Sequence, residues 1–289
     1  MDKLITFSIK SALQTGAEFL SATSPTPDLD ARYLLQAVLQ CSNTYLSTWP
    51  EQQLTASQTQ HWQQMLARRA QGEPVAYLLG HTEFWSLPLA VTEATLIPRP
   101  DTECLVEAVL ATLGDQQNLS LCELGTGSGA IALALASSCP SWKITAVDIS
   151  APALAVARAN ADNLSITSIH WQLSDWFKNI SPQKFTAIMS NPPYLSDTDP
   201  HLNAPSLQYE PRSALVAGKT GLEILQSLIE NSPEYLVPNG FVFLEHGFDQ
   251  GAEVAEFFRQ AHYTNINAVC DLAGHTRVTY AQYYGVKTL

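Results

Sequence analysis

A chain of 289 residues, 46% of them hydrophobic, has the material for one or two domains with a real core. Its 15 basic and 27 acidic residues leave a net charge of -12, which repels a phosphate backbone at long range and sets nucleic acid aside as the main partner. Five cysteines without C-x-x-C spacing and seven histidines without ligand spacing exclude a disulfide framework and lead us to expect no metal.

No apolar run reaches the roughly 18 residues of a membrane span, and no basic stretch followed by an apolar one opens the chain. The expectation is a cytoplasmic protein without a membrane partner, acting as a monomer. Residues 1–74 read as helices. Ala31, Leu34, Leu35, Val38 and Leu39 recur at helical spacing behind Pro27, and a second apolar stripe through Trp62, Met65 and Leu66 stops at Gly72. Arg68 and Arg69 fit a solvated helix end. This small helical bundle either only packs or recognises a macromolecular substrate.

Residues 75–100 change to short extended pieces, Thr82 to Ser86 and Leu89 to Thr92, split by Pro88, as in a hairpin linking two domains. Phe84 and Trp85 suit its core better than the rim of a channel. The run Ile97-Pro98-Arg99-Pro100-Asp101-Thr102-Glu103 then opens a helix with Asp101 as N-cap, and holds Arg99 on a stiff segment.

From residue 101 to 289 strands and helices alternate. Strands are expected at Ser120 to Leu124, Ile144 to Val147, Ile169 to Leu173, Phe185 to Ser190 and Phe241 to Glu245, with helices from Ala130, Ala151, Leu222 and Ala252. The tail, Arg277 to Tyr284, pairs as a hairpin with Ile266 to Val269. The pattern specifies an α/β fold: a doubly wound, mostly parallel sheet of seven strands with an antiparallel edge. Residues 195 to about 220, with Pro200, Pro205 and Pro211, form a long irregular connection suited to a lid or channel wall.

Two constellations carry chemistry. The turn Gly125-Thr126-Gly127-Ser128-Gly129 follows the first strand of this domain, where glycines permit positive φ and a close approach of ligand to backbone. Asp148 ends the next strand, where its carboxylate can accept hydrogen bonds from both hydroxyls of a ribose. NAD and S-adenosylmethionine sites share this plan. Glu123 favours the second, because a carboxylate there suits the amino group of a methionine moiety and opposes a pyrophosphate. Ser174-Asp175-Trp176-Phe177 ends the third strand, and Trp176 is placed to contact an adenine ring or to pack in the core.

The second constellation is Asn191-Pro192-Pro193-Tyr194, which closes the buried strand Phe185 to Ser190. A residue before proline is confined to extended conformations, so the Asn191 oxygen and the Pro192 carbonyl are both held in place. With the aromatic face of Tyr194 they make a clamp for a planar NH2 group. Asn191 is also a candidate cofactor contact.

These residues resemble the HemK/PrmC-type peptide-chain release factor glutamine methyltransferases. The resemblance rests on Phe84-Trp85-Ser86-Leu87, Leu96 to Glu103, the Gly125 to Gly129 turn, Asp148, Trp176, Asn191 to Tyr194 and Leu244-Glu245-His246-Gly247, and it runs over nearly the whole chain. It implies a Rossmann-like class I fold and transfer of a methyl group from S-adenosylmethionine to N5 of the glutamine in the Gly-Gly-Gln motif of bacterial class-1 release factors. It further implies that residues 1–74 recognise the substrate. Glu123 departs from the family, which more often carries Asp there. Rival readings are an adenine or guanine amino methyltransferase, which would call for a basic groove, a nicotinamide-dependent oxidoreductase, and a non-catalytic binding protein.

Overall fold

The computed structural model describes residues 7–285 apart from 115 and 182. The chain folds as two compact units: a helical unit, residues 1–81 with 203–209, and a sheet unit made of the rest.

The helical unit contains α1 (Ile9–Leu20), α2 (Pro27–Leu39), α3 (Asn43–Thr48), α4 (Ala56–Ala70) and α5 (Val75–Leu79). Ser8, Ser42 and Thr55 cap α1, α3 and α4 with their hydroxyls. Leu20, Leu34, Leu35, Leu46, Trp62 and Leu66 form its core, and Ala31 is fully buried beside it. Arg69 is not a solvated helix end. Its guanidinium is buried and donates to Asp30 Oδ2 at 2.6 Å, and the Ser24 hydroxyl donates to the same oxygen. A buried cation requires a partner, and α2 supplies one. Arg68 pairs with Glu73. The segment from Val75, read as extended, begins with α5 instead. Pro74 precedes it and Gly80, at φ +77°, ends it.

The sheet unit opens with a hairpin, β1 (His81–Phe84) and β2 (Leu87–Ala90), although His81 itself groups with the helices. Its turn lies at Trp85–Ser86, not at Pro88. Both turn residues have positive φ (54° and 58°), the backbone of the two-residue turns that match strand twist. Pro88 sits inside β2, where a two-stranded ribbon has an outer edge that needs no donor. Phe84 is buried, while Trp85 is half-buried and donates from Nε1 to Ser138 Oγ. A 3-10 turn over Pro100–Thr102 leads into α6 (Glu103–Leu113), so Asp101 is not its cap. The Asp101 carboxylate pairs with Arg277 at 2.9 Å instead.

There follow β3 (Ser120–Leu124), α7 (Ala130–Ser138), β4 (Lys143–Asp148), α8 (Ala151–Asn163), β5 (Ile169–Leu173) and β6 (Phe185–Ser190). The connection after β6 carries two short strands, β7 (Leu195–Ser196) and β8 (Val216–Gly218), paired in parallel and joined through 3-10 turns. Then come α9 (Glu223–Asn231), β9 (Leu236–Glu245), α10 (Gly251–Gln260), β10 (Thr264–Cys270) and β11 (Thr276–Tyr283). The main sheet has seven strands in the order β10-β11-β9-β6-β3-β4-β5. Six run in the same direction, and β11 runs antiparallel to both β9 and β10.

Strand parity explains the two covered faces. Along β6, Ala187 and Met189 join one apolar cluster with α6 and α7, while Ile188 joins the other with α9 and α10; Phe185 also joins the second, because the register shifts between Phe185 and Ala187. Chain order reverses between β3 and β6. Such a switch point opens a crevice beyond the strands' carboxyl ends. Both predicted constellations leave the sheet there, one from β3 and the other from β6.

Candidate active site

A cavity of about 460 Å³ occupies that crevice. The glycine turn forms its floor. The N–H groups of Gly125 and Thr126 both donate to the Val147 carbonyl at 2.9 Å, which folds the turn back over the end of β4. Gly125, Gly127 and Gly129 all have positive φ. A Cβ at Gly127 would meet nothing within 4 Å, whereas at Gly129 it would press on Trp171, Ala157 and Leu133 at 3.0–3.2 Å. Gly129 thus serves close packing, and Gly127 leaves its position open.

Asp148, at the tip of β4, shapes the same turn. Its Oδ2 accepts the Gly127 N–H and its Oδ1 the Ser150 N–H, each at 2.8 Å. Burial raises its pKa, against the pull of these amides. Glu123 lies almost wholly buried in the cavity wall, and its Oε2 accepts from the Thr126 hydroxyl (2.6 Å) and the Ala132 N–H (3.1 Å). Desolvation pushes its carboxyl up to about 8, so a cation entering beside it would be met by a group ready to ionise. Trp176 also lines the cavity. A Cβ built on Gly125 would lie 3.5 Å from its ring, and the indole also packs against the second core cluster.

Of Asn191 to Tyr194, only Asn191 and Pro193 line the cavity. The Asn191 Nδ2 donates to Thr102 Oγ1 at 3.1 Å, and no hydrogen bond to its Oδ1 is made among the described residues. Pro192 is buried, and Tyr194 packs its ring into the second core cluster. Burial, with Glu245 nearby, raises the Tyr194 phenol. Gln250 Nε2 donates to the Tyr194 carbonyl at 2.9 Å and so pins the exit of the motif.

The remaining wall comes from Ala94 to Arg99, Thr102 and part of the long connection, Pro211, Ser213 and Ala214. Arg99 does not present a free charge. Its guanidinium pairs with Glu210, whose buried carboxylate also accepts the Ile97 N–H at 3.1 Å. The proline-rich segment and the long connection are latched together at that point. Three positions went unassigned in the sequence. Asn160 of α8 donates to the Ala90 and Ser128 carbonyls and accepts the Ala90 N–H, tying the hairpin to the glycine turn. Glu210 and Glu245 are both buried carboxylates; apart from the place of Glu245 in the run Leu244-Glu245-His246-Gly247, the sequence signal is an acid at the end of an apolar strand or among prolines. Among the described residues no cluster of His, Cys, Asp and Glu could hold a metal.

The fold and the acidic, glycine-floored cavity define a class I S-adenosylmethionine-dependent methyltransferase. Solved structures of similar fold include a methyltransferase from Pyrococcus furiosus (TM-score 0.51, 17% identical, covering 69% of this chain and 90% of that one). Another is the catalytic domain of hMettl16 (TM-score 0.57, 16% identical, 71% and 78%). Residues 11–80 match the family described as PrmC N-terminal domain, and 101–206 match the Methyltransferase small domain. The release factor glutamine methyltransferase of Shewanella oneidensis is 43% identical over 278 residues, covering 96% of this chain and 97% of that one. That of Escherichia coli is 46% identical over 261 residues, covering 90% and 94%. The chain belongs to the release factor glutamine methyltransferases.

S-adenosylmethionine fits the cavity on the structure's own terms. A buried carboxyl awaits a cation, a strand-end carboxylate keeps lone pairs for hydroxyls, the backbone at Gly127 is unobstructed, and an indole lines the same cavity. No helix among the described residues is long and apolar enough to cross a membrane.

Proposed function

We propose that the chain methylates N5 of the glutamine in the Gly-Gly-Gln motif of class-1 release factors, with the site residues in the following roles. Gly125, Thr126, Gly127, Ser128 and Gly129 cradle the cofactor, Asp148 holds its ribose, Trp176 contacts its adenine, and Glu123 takes its amino group. When bound, S-adenosylmethionine supplies a methyl group on a cationic sulfur. Asn191 Oδ1 accepts one N–H of the substrate carboxamide and the Pro192 carbonyl the other, which aims the nitrogen lone pair into the cavity. Pro192 stiffens Asn191, Pro193 holds the Pro192 carbonyl, and Tyr194 backs the clamp.

An amide nitrogen is a poor nucleophile because its lone pair is shared with the carbonyl. Orientation is therefore the main contribution of these residues, and proximity effects of this kind reach roughly 7–11 kcal/mol at their limit. The proton displaced from nitrogen leaves to water. The observation that carries the reading is the state of Asn191: it lines the cavity, its NH2 is committed to Thr102, and its oxygen is left to accept.

Residues 1–74 are assigned to substrate recognition. A net charge of -12 supports a protein substrate over nucleic acid, and a monomeric cytoplasmic enzyme without a membrane partner completes the reading. Mass spectrometry of a release factor incubated with the protein and S-adenosylmethionine tests it. One added methyl on the glutamine is expected; an unmodified glutamine under turnover conditions would overturn it.

A further inference from the structure

Glu245 is the last residue of β9 and is almost wholly buried, yet its Oε2 has no hydrogen-bond partner. A glutamine or leucine would fill that space without the cost of a desolvated carboxyl, so the acid needs a reason to be there. Its position gives one. Ser190 of β6 pairs with Leu244 of β9, so Asn191 leaves the sheet beside Glu245. Thr102 meets both from the start of α6. Its Oγ1 accepts the Asn191 NH2 at 3.1 Å, and the Thr102 hydroxyl and Asn191 amide both lie near enough to the Glu245 carboxyl to favour its charged form.

We propose that Glu245, acting through Thr102, is the positioning residue that decides which way round the Asn191 carboxamide sits. A carboxylate only accepts hydrogen bonds, and a threonine hydroxyl has a single proton. When that proton goes to Glu245, the Thr102 oxygen is left with lone pairs alone and can only accept. Asn191 must then turn its NH2 toward Thr102 and its oxygen toward the cavity. With no such constraint the amide turns over and presents a donor to the substrate's own N–H groups, which repels them. The relay thus rests on the reading that Asn191 Oδ1 accepts from the substrate.

The charges around Glu245 leave this role open to it. Arg277 of β11 is the nearest cation, but it is shared with Asp101 (2.9 Å) and Asp271 (2.7 Å). Tyr194 after β6 and Cys104 of α6 face the carboxyl as neutral groups with raised pKa. The neighbouring His246 turns away and shares a hydrogen bond with Thr279. Burial holds the Glu245 carboxyl up at about 7.

The test compares Thr102→Val, Thr102→Ser, Glu245→Gln and Asn191→Ala in the full chain, with steady-state methylation of a release factor and calorimetric titration of S-adenosylmethionine. Thr102→Val keeps the side-chain shape and loses the hydroxyl; it should lower kcat at least about tenfold while cofactor affinity stays within about twofold. Thr102→Ser loses the methyl group, keeps the hydroxyl, and should recover most of that rate. A packing role predicts the reverse order, and either that order or a wild-type kcat in Thr102→Val would overturn the relay. In the wild type, kcat should fall as pH drops through about 7, where Glu245 gains a proton it can donate to Thr102. Glu245→Gln should be slow and lack this limb, and a limb that survives the substitution also counts against the relay. Asn191→Ala separates the two levels. If it is inactive while Thr102→Val turns over normally, the clamp stands and the relay falls; if it is fully active, the clamp itself is wrong.

Discussion

Removing the Asp148 carboxylate probes the proposed cofactor site most directly, because that one group has two structural tasks and, in the proposed function, one binding task. Its oxygens accept the Gly127 and Ser150 N–H groups at 2.8 Å each, and each oxygen keeps a further lone pair for a ribose hydroxyl. In Asp148→Ala the two amides turn to water, since both lie at the partly buried rim, and the loss that matters is the charge-assisted contact to the ribose. Hydrogen bonds to a charged partner are worth about 1.5–3 kcal/mol each, and partial replacement by water leaves a net loss of about 2–3 kcal/mol. That is roughly a 30- to 160-fold weaker dissociation constant. Asp148→Asn should lose about as much, because an amide offers one oxygen to two backbone donors and sets its NH2 against the other. Calorimetric titration of S-adenosylmethionine, with an unfolding curve to establish that each variant is folded, measures the effect. Affinity within about twofold of wild type in both variants would refute the ribose assignment.

Asn191→Ala should reduce methyl transfer by about a hundredfold or more while cofactor affinity stays within a few fold, because it removes an orienting acceptor and no cofactor charge; transfer of labelled methyl to a release factor reads the first and calorimetric titration the second. For Glu123 the folded carboxyl titrates near 8, above its unfolded value, so its contribution to stability is complete below the ordinary carboxylate range and is lost as pH rises through 8. The cofactor-free protein should therefore unfold more readily at pH 9 than at pH 6, and Glu123→Gln should flatten that slope; a slope unchanged in the variant would place its origin elsewhere. Asn160→Ala removes three hydrogen bonds of a buried side chain and strands the Ala90 and Ser128 backbone groups. The expected loss is about 2–4 kcal/mol in denaturant unfolding, and a loss under about 0.5 would mean that water replaces the side chain.

Where the sequence misled, a long-range partner was the cause. Asp101 has the composition of a helix cap, but Arg277, distant in the chain, takes its carboxylate. Arg69 has the look of a solvated helix end, but Asp30 draws it inside. Pro88 has the look of a hairpin turn, but the turn lies at Trp85–Ser86, two residues that rarely adopt positive φ unaided. Here the turn is fixed from outside, with the Trp85 N–H held by Glu103 Oε1 at 2.8 Å and its indole by Ser138.

What the sequence determined by itself is everything governed by local periodicity and by the chemistry of consecutive residues. Two of the parallel strands, Ser120–Leu124 and Phe185–Ser190, lie where the apolar runs place them, because an inner strand covered on both faces is apolar at most positions; the edge strand Ile169–Leu173 also falls where expected, although His170 and Gln172 interrupt it. The glycine turn, Asp148 and Asn191 were legible for a related reason: each is fixed relative to a strand end only a residue or two away. Only the tertiary structure decided how those strand ends are ordered, and hence that β3 and β6 part at a common crevice. It alone brought Thr102, Asn191 and Glu245 within reach of one another from three separate elements. The direction of a side-chain amide depends on such partners, and no run of neighbouring residues encodes them.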